Sequence, residues 1–339
     1  MKTSSGLEDT IVADTKLSLV DGLQGRLIIN GQHLKDFAHK SFEDAAESLW
    51  EKHPRTFAED KKSARQALTP LADQLHGRPP LEGLRIGLAA LPNRFDQWEI
   101  AAAFPIILGF IKKGAEAPAP DSHASYATEI LRQVTEENPD AEKVKALDTY
   151  LVTVSEHGMN ASTFCCRVTC STGATRVDSA LAALSALSGP LHGGAPGPVL
   201  DLLDELSNVS DVKETLRRKV QAGQRLMGFE HRVYRTRDPR AQVLQKAVRS
   251  LCPSQSLLHA ENVERLATEV LSELKPHRPL HTNVEFYTAV LLQEVGFERN
   301  WFTTLFASGR ILGWMAHFDE QVAVGRLLRP KARYVGPLP

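Results

Sequence analysis

The chain has 339 residues, enough for one large domain or two ordinary ones and for a sizeable core. Its 40 Lys and Arg nearly balance 41 Asp and Glu, which gives a net charge of −1, and 42% of the residues are hydrophobic. This balance argues against a general nucleic-acid binder, a membrane-surface protein and an intrinsically disordered chain.

The front of the chain is polar from Met1 to Leu7 and lacks the apolar stretch of a secretory signal, so we expect a cytoplasmic protein. Residues Lys16 to Gly31 alternate apolar and polar side chains around the turn residues Asp21-Gly22 and Gly25. This alternation predicts a small β-hairpin or meander.

Helical spacing dominates the rest of the sequence. Ser41 precedes an acidic turn and an apolar stripe, which is typical of an N-cap that opens a helix. The longest apolar run, Ile100 to Ile111, contains Pro105 and Gly109 and is shorter than the roughly 20 residues that cross a bilayer. It predicts a buried helix. Further stripes at three- and four-residue spacing run from Val177 to Leu187 and from Val263 to Leu274.

The cysteines give no sign of a metal or redox site. Cys165, Cys166, Cys170 and Cys252 fit neither a CxxC nor a His/Cys ligand spacing, so we expect small, reduced core residues.

Three of the twelve histidines lie in glycine-rich surroundings, at His157, His192 and His231. Glycine beside a histidine lets the backbone approach a ligand closely, which favours a functional site. Alternatively, each glycine simply ends a helix and each histidine fills space. No second ligand lies three or four residues from any of the three, so no metal site is predicted.

Arginines and one acid form a second set of candidates. Arg310 lies in an apolar helix and must face a carboxylate, which belongs either to the protein itself or to a ligand. Arg240 follows Asp238-Pro239, and Arg329 precedes Pro330. Glu285 opens another apolar helix, where an acid alone more often complements the helix N-terminus than acts as a base.

The order of these blocks carries more information than any single block. The blocks are Glu156–Phe164, Gly189–Ala195, Gly228–Tyr234 with Asp238–Arg240, Asn283–Tyr287, Arg310 with Gly313-Trp314 and His317, and Arg329-Pro330. Their order and spacing resemble those of bacterial citrate synthases and 2-methylcitrate synthases, from about Leu17 to Gly336.

The resemblance implies a catalytic role for three residues. His192 matches the histidine that hydrogen-bonds the thioester carbonyl of acetyl-CoA and stabilises its enol or enolate. His231 matches the histidine that polarises the ketone of oxaloacetate. Glu285 stands where the family usually has an aspartate, the general base that takes a methyl proton.

The resemblance also implies the substrate ligands and the assembly. His157, Arg240 and Arg310 match ligands of oxaloacetate or citrate, and Arg235 matches a basic position that contacts a CoA phosphate. Arg329 matches an arginine that reaches into the site of a second subunit, which implies a homodimer. No cofactor or metal is implied, because acetyl-CoA is a co-substrate.

The implied fold is mainly α, with two helical domains and the small N-terminal β element. Residues 1–195 and 288–339 would form the large domain, and residues 196–287 the small one. The site would lie in the cleft between them, with His192 and Arg310 on the large-domain side and His231, Arg240 and Glu285 on the other. Closure of such a cleft would exclude water during condensation.

Three positions depart from the family pattern. Val154 replaces the first histidine of a His-Ala-Asp-His block, in which His157 is the second. Glu285 replaces an aspartate and reaches one methylene farther. Glu230 replaces a glycine beside His231, where it either raises the pKa of that histidine or points to solvent.

Two alternatives to a citrate synthase remain. A 2-methylcitrate synthase uses propionyl-CoA, and one methylene is worth only about 1–3 kcal/mol of discrimination. A catalytically silent paralogue that binds citrate or oxaloacetate is suggested by the altered base and the lost histidine.

Overall fold

The computed structural model describes residues 10–50, 57–135, 138–193, 196–231, 233–251 and 254–338. The described part opens with a three-stranded antiparallel sheet in the order β1-β2-β3. The strands are β1 (Ser18–Asp21), β2 (Arg26–Ile29) and β3 (Gln32–His33). Ser18 pairs with Ile29 and Asp21 pairs with Arg26, so the predicted meander is confirmed.

Helices follow the sheet for the remainder of the fold, which confirms the mainly α class. The first eight are α1 (Leu34–Phe37), α2 (Phe42–Trp50), α3 (Phe57–Leu68), α4 (Ala72–Leu75), α5 (Pro80–Ala89), α6 (Gln97–Lys113), α7 (Tyr126–Val134) and α8 (Ala141–Thr153). The next eight are α9 (Ala161–Cys170), α10 (Arg176–Leu187), α11 (Pro196–Ser207), α12 (Val212–Gln221), α13 (Pro239–Leu251), α14 (Gln255–Leu274), α15 (Val284–Val295) and α16 (Phe302–Val324). Short 3-10 turns lie at Thr69–Leu71, Gly114–Glu116 and Arg299–Trp301.

Local sequence explains where the helices begin. The Ser41 hydroxyl accepts the Asp44 N–H at 3.1 Å, so Ser41 caps α2 as predicted. Asp96 and Glu99 form a reciprocal capping box at the start of α6, which satisfies two otherwise unpaired backbone donors. The predicted buried helix is α6, and Pro105 lies inside it. None of the described helices is both long and apolar enough to cross a bilayer.

The core is centred on α16, whose side chains are buried along most of its length. It packs against α2, α6, α8, α9 and α10. Aromatic rings fill the space beside it, with Phe42 stacked on Tyr126 at 3.7 Å and Trp50 edge-on to Trp98 at 4.9 Å. Such pairs add to the stabilisation from apolar burial. This core gives Arg310 on α16, and the loop before α9 that carries His157, a rigid base.

The later helices form a second packing group. Helix α12 packs on α14, α11 packs on α14 and α15, and α13 packs on α15. Both α13 and α15 also contact α8, which joins this group to the earlier helices. The domain boundaries at 196 and 287 stay a prediction.

Three cysteines are free thiols, with Cys166 and Cys170 buried and Cys165 partly buried. Burial raises the pKa of the Cys170 thiol to about 11. The expected core position is therefore confirmed for Cys166 and Cys170, whereas Cys165 lies at the edge of the core and Cys252 lies outside the described residues.

Candidate active site

His157 lies in the loop that connects α8 to α9, directly after a buried carboxylate. One oxygen of Glu156, Oε1, accepts hydrogen bonds from Ser18 Oγ at 2.8 Å, Gly158 N at 2.6 Å and His317 Nε2 at 3.1 Å. Arg167 NH1 lies 3.0 Å from the other ring nitrogen of His317. Because arginine only donates, His317 must carry its proton on Nε2 and donate it to Glu156. A network that is buried except at Ser18 therefore supports the turn that presents His157.

His192 follows α10 and meets the first turn of α9. Its Nε2 lies 2.9 Å from Ser162 Oγ and 3.4 Å from the Ser162 N–H. The backbone N–H can only donate, which favours Nε2 as an acceptor and the ring proton on Nδ1. The Ser162 hydroxyl has a second acceptor in reach, Asn160 Oδ1 at 2.8 Å. Trp314 Nε1 also donates to Ser162 Oγ at 3.1 Å, which fixes the serine against α16. The block around His192 extends to Gly194 and Ala195, which lie outside the described residues.

Arg310 is almost fully buried on α16, with 1% of its surface exposed. Its Nε donates to the Val154 carbonyl at 2.6 Å, and its guanidinium lies 4.8 Å from the centre of the Phe306 ring. Within the described part of the chain no carboxylate lies within ion-pair distance of Arg310, so the first of the two alternatives, a carboxylate of the protein itself, is not found there. Burial lowers the pKa of Arg310 to about 10, although Glu156 opposes the shift. The cation is therefore left available to an anionic ligand.

His231 lies in the loop before α13, and the backbone fixes its tautomer. The N–H groups of Val233 and Tyr234 donate to Nδ1 at 3.0 and 3.1 Å. Nδ1 is therefore the acceptor, and the proton of the neutral ring is on Nε2. Burial and the neighbouring Arg240 lower the pKa of His231 to about 4, so the ring is neutral at pH 7. It is an uncharged hydrogen-bond donor.

Arg240 is held by its neighbour Asp238. The guanidinium donates to the two Asp238 oxygens at 3.1 and 2.8 Å, and the pair is buried. Asp238 Oδ2 also accepts the Val284 N–H at 3.1 Å, so one carboxylate joins the first turns of α13 and α15. Burial disfavours the charged guanidinium, but Asp238 outweighs burial and raises the pKa of Arg240.

Two donors face each other where Arg240 meets His231. Arg240 NH2 lies 3.2 Å from His231 Nε2, which carries the ring proton. Neither group can accept from the other in that state. A single oxygen acceptor placed between them would satisfy both, as a carboxylate or ketone oxygen would.

Glu285 lies in the first turn of α15, where Asn283 caps the helix and accepts the Glu285 N–H at 3.0 Å. Its carboxylate accepts no hydrogen bond from the described residues. Burial raises the pKa of Glu285 to about 7, with Asp238 adding to the shift and Arg240 opposing it. Glu285 occupies a helix N-terminus, and its raised pKa would suit a base that works near neutral pH. Its role as the base stays a prediction.

Tyr234 brings the two groups of residues together. Its hydroxyl lies 3.1 Å from His157 Nε2, and its ring centre lies 4.8 Å from that of His231. The two histidine rings are themselves 5.7 Å apart and meet edge to face. Burial lowers the pKa of His157 well below its ordinary value, and the charges of Arg240 and Arg310 lower it further. The structure therefore gathers His157, His231 and Arg240 in one place.

The loop from Val233 to Thr236 rests on the N-terminal sheet. The Arg235 N–H donates to the Gly22 carbonyl at 2.8 Å, in the turn between β1 and β2. A Cβ atom at Gly22 would collide with the backbone carbonyl of Val233, and one at Gly25 would collide with the Thr236 hydroxyl. Only glycine allows this close approach.

Glu230 forms ion pairs with arginines and does not raise the pKa of His231. Its carboxylate pairs with Arg225 at 3.2 Å and with Arg278, and 24% of its side chain is exposed. The pKa of His231 is lowered, so the suggestion that Glu230 raises it is wrong. Glu230 adopts a φ of 93°, a left-handed conformation that favours the glycine of the family pattern.

The remaining two candidates are exposed. Arg235 lines a small cavity at the edge of the cluster, together with His231, Tyr234 and Arg278. Arg329 is exposed in the extended segment after α16. The preceding residue, Leu328, donates to Ser171 Oγ at the far end of α9 from Ser162, about 13 Å along a helix. The backbone beside Arg329 therefore lies at the opposite end of α9 from the His192 contact.

Several residues that build the site gave little signal in the sequence. The sequence blocks that resemble the family include Asp238 and Tyr234, but the sequence assigned neither a role. Only the fold brings together Ser162, Glu156, His317 and Arg167. A buried Arg beside a His is visible in a sequence only when the partner helix is known. No group of three His, Cys, Asp or Glu in the described ranges is placed to hold a metal ion.

Comparison with known proteins identifies the family. The family profile described as citrate synthase, C-terminal domain, matches residues 6–331. A citrate synthase from Acidithiobacillus ferridurans is 32% identical over 98% of this chain and 95% of its own length. A relative from Mycobacterium tuberculosis is 46% identical over 202 residues, but the match spans only 59% of this chain and 54% of that relative.

Solved structures agree with this result. Citrate synthase from Thermotoga maritima superposes with a TM-score of 0.86 at 30% identity, covering 99% of this chain and 96% of that one. A Thermoplasma acidophilum citrate synthase, solved as a ternary complex with carboxymethyl coenzyme A and oxaloacetate, gives 0.86 at 26% identity and covers 100% and 97%. The chain belongs to the citrate synthase family.

Proposed function

We propose that this protein is a citrate synthase, an acyltransferase that condenses acetyl-CoA with oxaloacetate and hydrolyses the resulting citryl-CoA to citrate and CoA. The main support is the pairing of neutral His231 with Arg240, whose donors face each other 3.2 Å apart. Oxaloacetate carries a ketone beside two carboxylates, so its oxygens suit such a pair and the nearby buried Arg310.

The chemistry assigned to the other residues follows from their protonation states. A thioester methyl is a weak carbon acid, so its removal needs a base and an immediate donor for the developing oxyanion. Glu285, with a pKa of about 7, is the proposed base. The Nδ1–H of His192 is the proposed donor to the thioester oxygen, and Ser162 on Nε2 supports that tautomer.

The next step forms the carbon–carbon bond. The enol carbon attacks the ketone carbon of oxaloacetate, and the ketone oxygen becomes an alkoxide that the Nε2–H of His231 stabilises. His157, Arg240 and Arg310 hold the substrate carboxylates, and this alignment makes the reaction nearly unimolecular. Water then cleaves the thioester and releases the CoA thiol.

The proposal extends to assembly and location. Arg235 would contact a CoA phosphate, and Arg329 would complete the site of a second subunit in a homodimer. The exposed position of Arg329, away from its own His192, supports a role in trans. We expect the enzyme in the cytoplasm and expect it to need no cofactor.

The reaction is tested by measuring the release of CoA thiol at saturating oxaloacetate. A comparison of acetyl-CoA with propionyl-CoA decides between the citrate and 2-methylcitrate products. We expect turnover with acetyl-CoA to be preferred. Glu285→Gln should lower kcat by about 10²–10⁴ because the base is lost. Glu285→Asp, which keeps the carboxylate, should lose much less.

Two results would contradict the assignment. Turnover unaffected by Glu285→Gln would remove Glu285 as the base. Absence of turnover with both thioesters, together with calorimetric binding of oxaloacetate or citrate, would instead establish a silent paralogue.

A further inference from the structure

Tyr234 forms hydrogen bonds with two different histidines. It is a buried residue, with 4% of its surface exposed. Its backbone N–H donates to His231 Nδ1 at 3.1 Å, and its hydroxyl lies 3.1 Å from His157 Nε2. His157 and Tyr234 are 77 residues apart in sequence, so the second bond depends on the tertiary fold.

The direction of the hydroxyl bond follows from what surrounds it. The Tyr234 Oη has no other hydrogen-bond partner among the described residues. A buried hydroxyl proton without an acceptor costs about 1–3 kcal/mol, so the phenol donates to Nε2. Burial also raises the pKa of Tyr234 and lowers that of His157, so the phenol keeps its proton and the ring is neutral. The imidazole proton of His157 is then on Nδ1.

We propose that Tyr234 is a positioning residue for oxaloacetate binding, which holds His157 in the Nδ1–H tautomer and fixes its distance from His231. This inference rests on the proposed function. Without the hydroxyl, His157 can rotate and exchange tautomers, so its donor is presented to substrate for only part of the time.

The bond also joins two predicted domains. His157 belongs to the segment 1–195 and Tyr234 to the segment 196–287. A hydrogen bond between them forms only when the two segments are close together. The hydroxyl thus holds His157 at its observed distance from His231.

The test is Tyr234→Phe, which removes the hydroxyl and keeps the ring. We expect KM for oxaloacetate to rise about tenfold, the equivalent of one lost hydrogen bond, and kcat to change less. Tyr126→Phe is the matched control, because it removes a buried hydroxyl that donates to the Ser308 carbonyl at 3.0 Å and contacts none of the site histidines. The control should leave KM unchanged.

A second readout needs no turnover. Proton–nitrogen correlation spectra of protein labelled with ¹⁵N-histidine report which ring nitrogen carries the proton. We expect a single Nδ1–H tautomer for His157 in the wild type and mixed tautomers in Tyr234→Phe, with His157→Gln used for assignment. This measurement remains valid if the proposed reaction fails.

A double-mutant cycle separates positioning from a general structural role. If Tyr234 acts through His157, Tyr234→Phe should raise KM no further in the His157→Gln background. Unchanged KM together with an unchanged His157 tautomer in Tyr234→Phe would overturn the proposal. Equal KM effects with and without His157 would do the same.

Discussion

The two sets of candidate residues are supported in different ways. His157, His192 and Arg310, here called the α9 group, are held by groups from distant parts of the chain. The Tyr234 hydroxyl holds His157 and the Val154 carbonyl holds Arg310. Ser162 on α9 holds His192, and Ser18 on β1 and His317 on α16 support the turn before His157 through Glu156. Losing one contact leaves several others in place.

His231, Arg240 and Glu285, here called the α13 group, are held mostly by their own neighbours in sequence. Backbone N–H groups two and three residues on fix His231, and Asp238 fixes Arg240 from two residues away. The one carboxylate of Asp238 also connects α13 to α15. The α13 group therefore depends on the single buried charge of Asp238, whereas contacts from many parts of the chain support the α9 group.

Removing that charge should have the largest effect. Asp238→Ala leaves Arg240 buried and unpaired, which we expect to lower the free energy of unfolding by about 3–5 kcal/mol. Glu230→Gln breaks ion pairs to exposed arginines in the same region and should cost less than about 1 kcal/mol. Urea denaturation of both variants measures the difference. Equal losses would show that Asp238 is not the main support.

The pH profile separates the two groups next. Glu285 must be ionised to act as a base, so we expect kcat/KM to fall about tenfold per pH unit below its pKa of about 7. His231 has a pKa of about 4 and stays neutral across that range. A fall of kcat/KM below about pH 7 in the wild type, with a shifted midpoint in Glu285→Asp, supports Glu285 as the base. A flat wild-type profile between pH 5 and pH 8 would contradict it.

The same group has a defined effect on stability. Its pKa is raised in the folded protein, so its contribution is complete below about pH 4.5 and is lost as the pH rises through about 7. Burial likewise raises the pKa of Asp148 to about 7, so wild type must be compared with Glu285→Gln to isolate Glu285. The variant should lose less unfolding free energy over this range.

A smaller and more local effect is expected at the turn between β1 and β2. Gly22→Ala should push the Val233 backbone away and lower kcat/KM about tenfold, because the loop also carries His231. Leu23→Ala is the control, since that side chain is 79% exposed in the same turn. If the melting temperature changes as little in Gly22→Ala as in Leu23→Ala, the loss of kcat/KM comes from displacement of the loop and not from unfolding. No loss of kcat/KM would show that the loop is held from elsewhere.

The sequence predicted the elements well because local patterns determine them. The alternation around Gly22 gave the sheet, Ser41 gave the start of α2, and Pro105 did not break α6 because burial in the core outweighs its cost. The sequence could not predict that Arg310 donates to the Val154 carbonyl. Apolar spacing places a residue on a helix but does not show which part of the chain packs against it. It also missed Tyr234 and Asp238, whose importance depends on contacts that only folding creates.

The Glu156 carboxylate joins the first strand of the fold to its last helix. Ser18 and His317 donate to the same oxygen, although they are 299 positions apart in the chain. During synthesis, therefore, Glu156 beside His157 cannot bond to His317 until α16 has left the ribosome. Contacts of such long range slow folding, and we expect this part of the protein to be among the last to acquire native order.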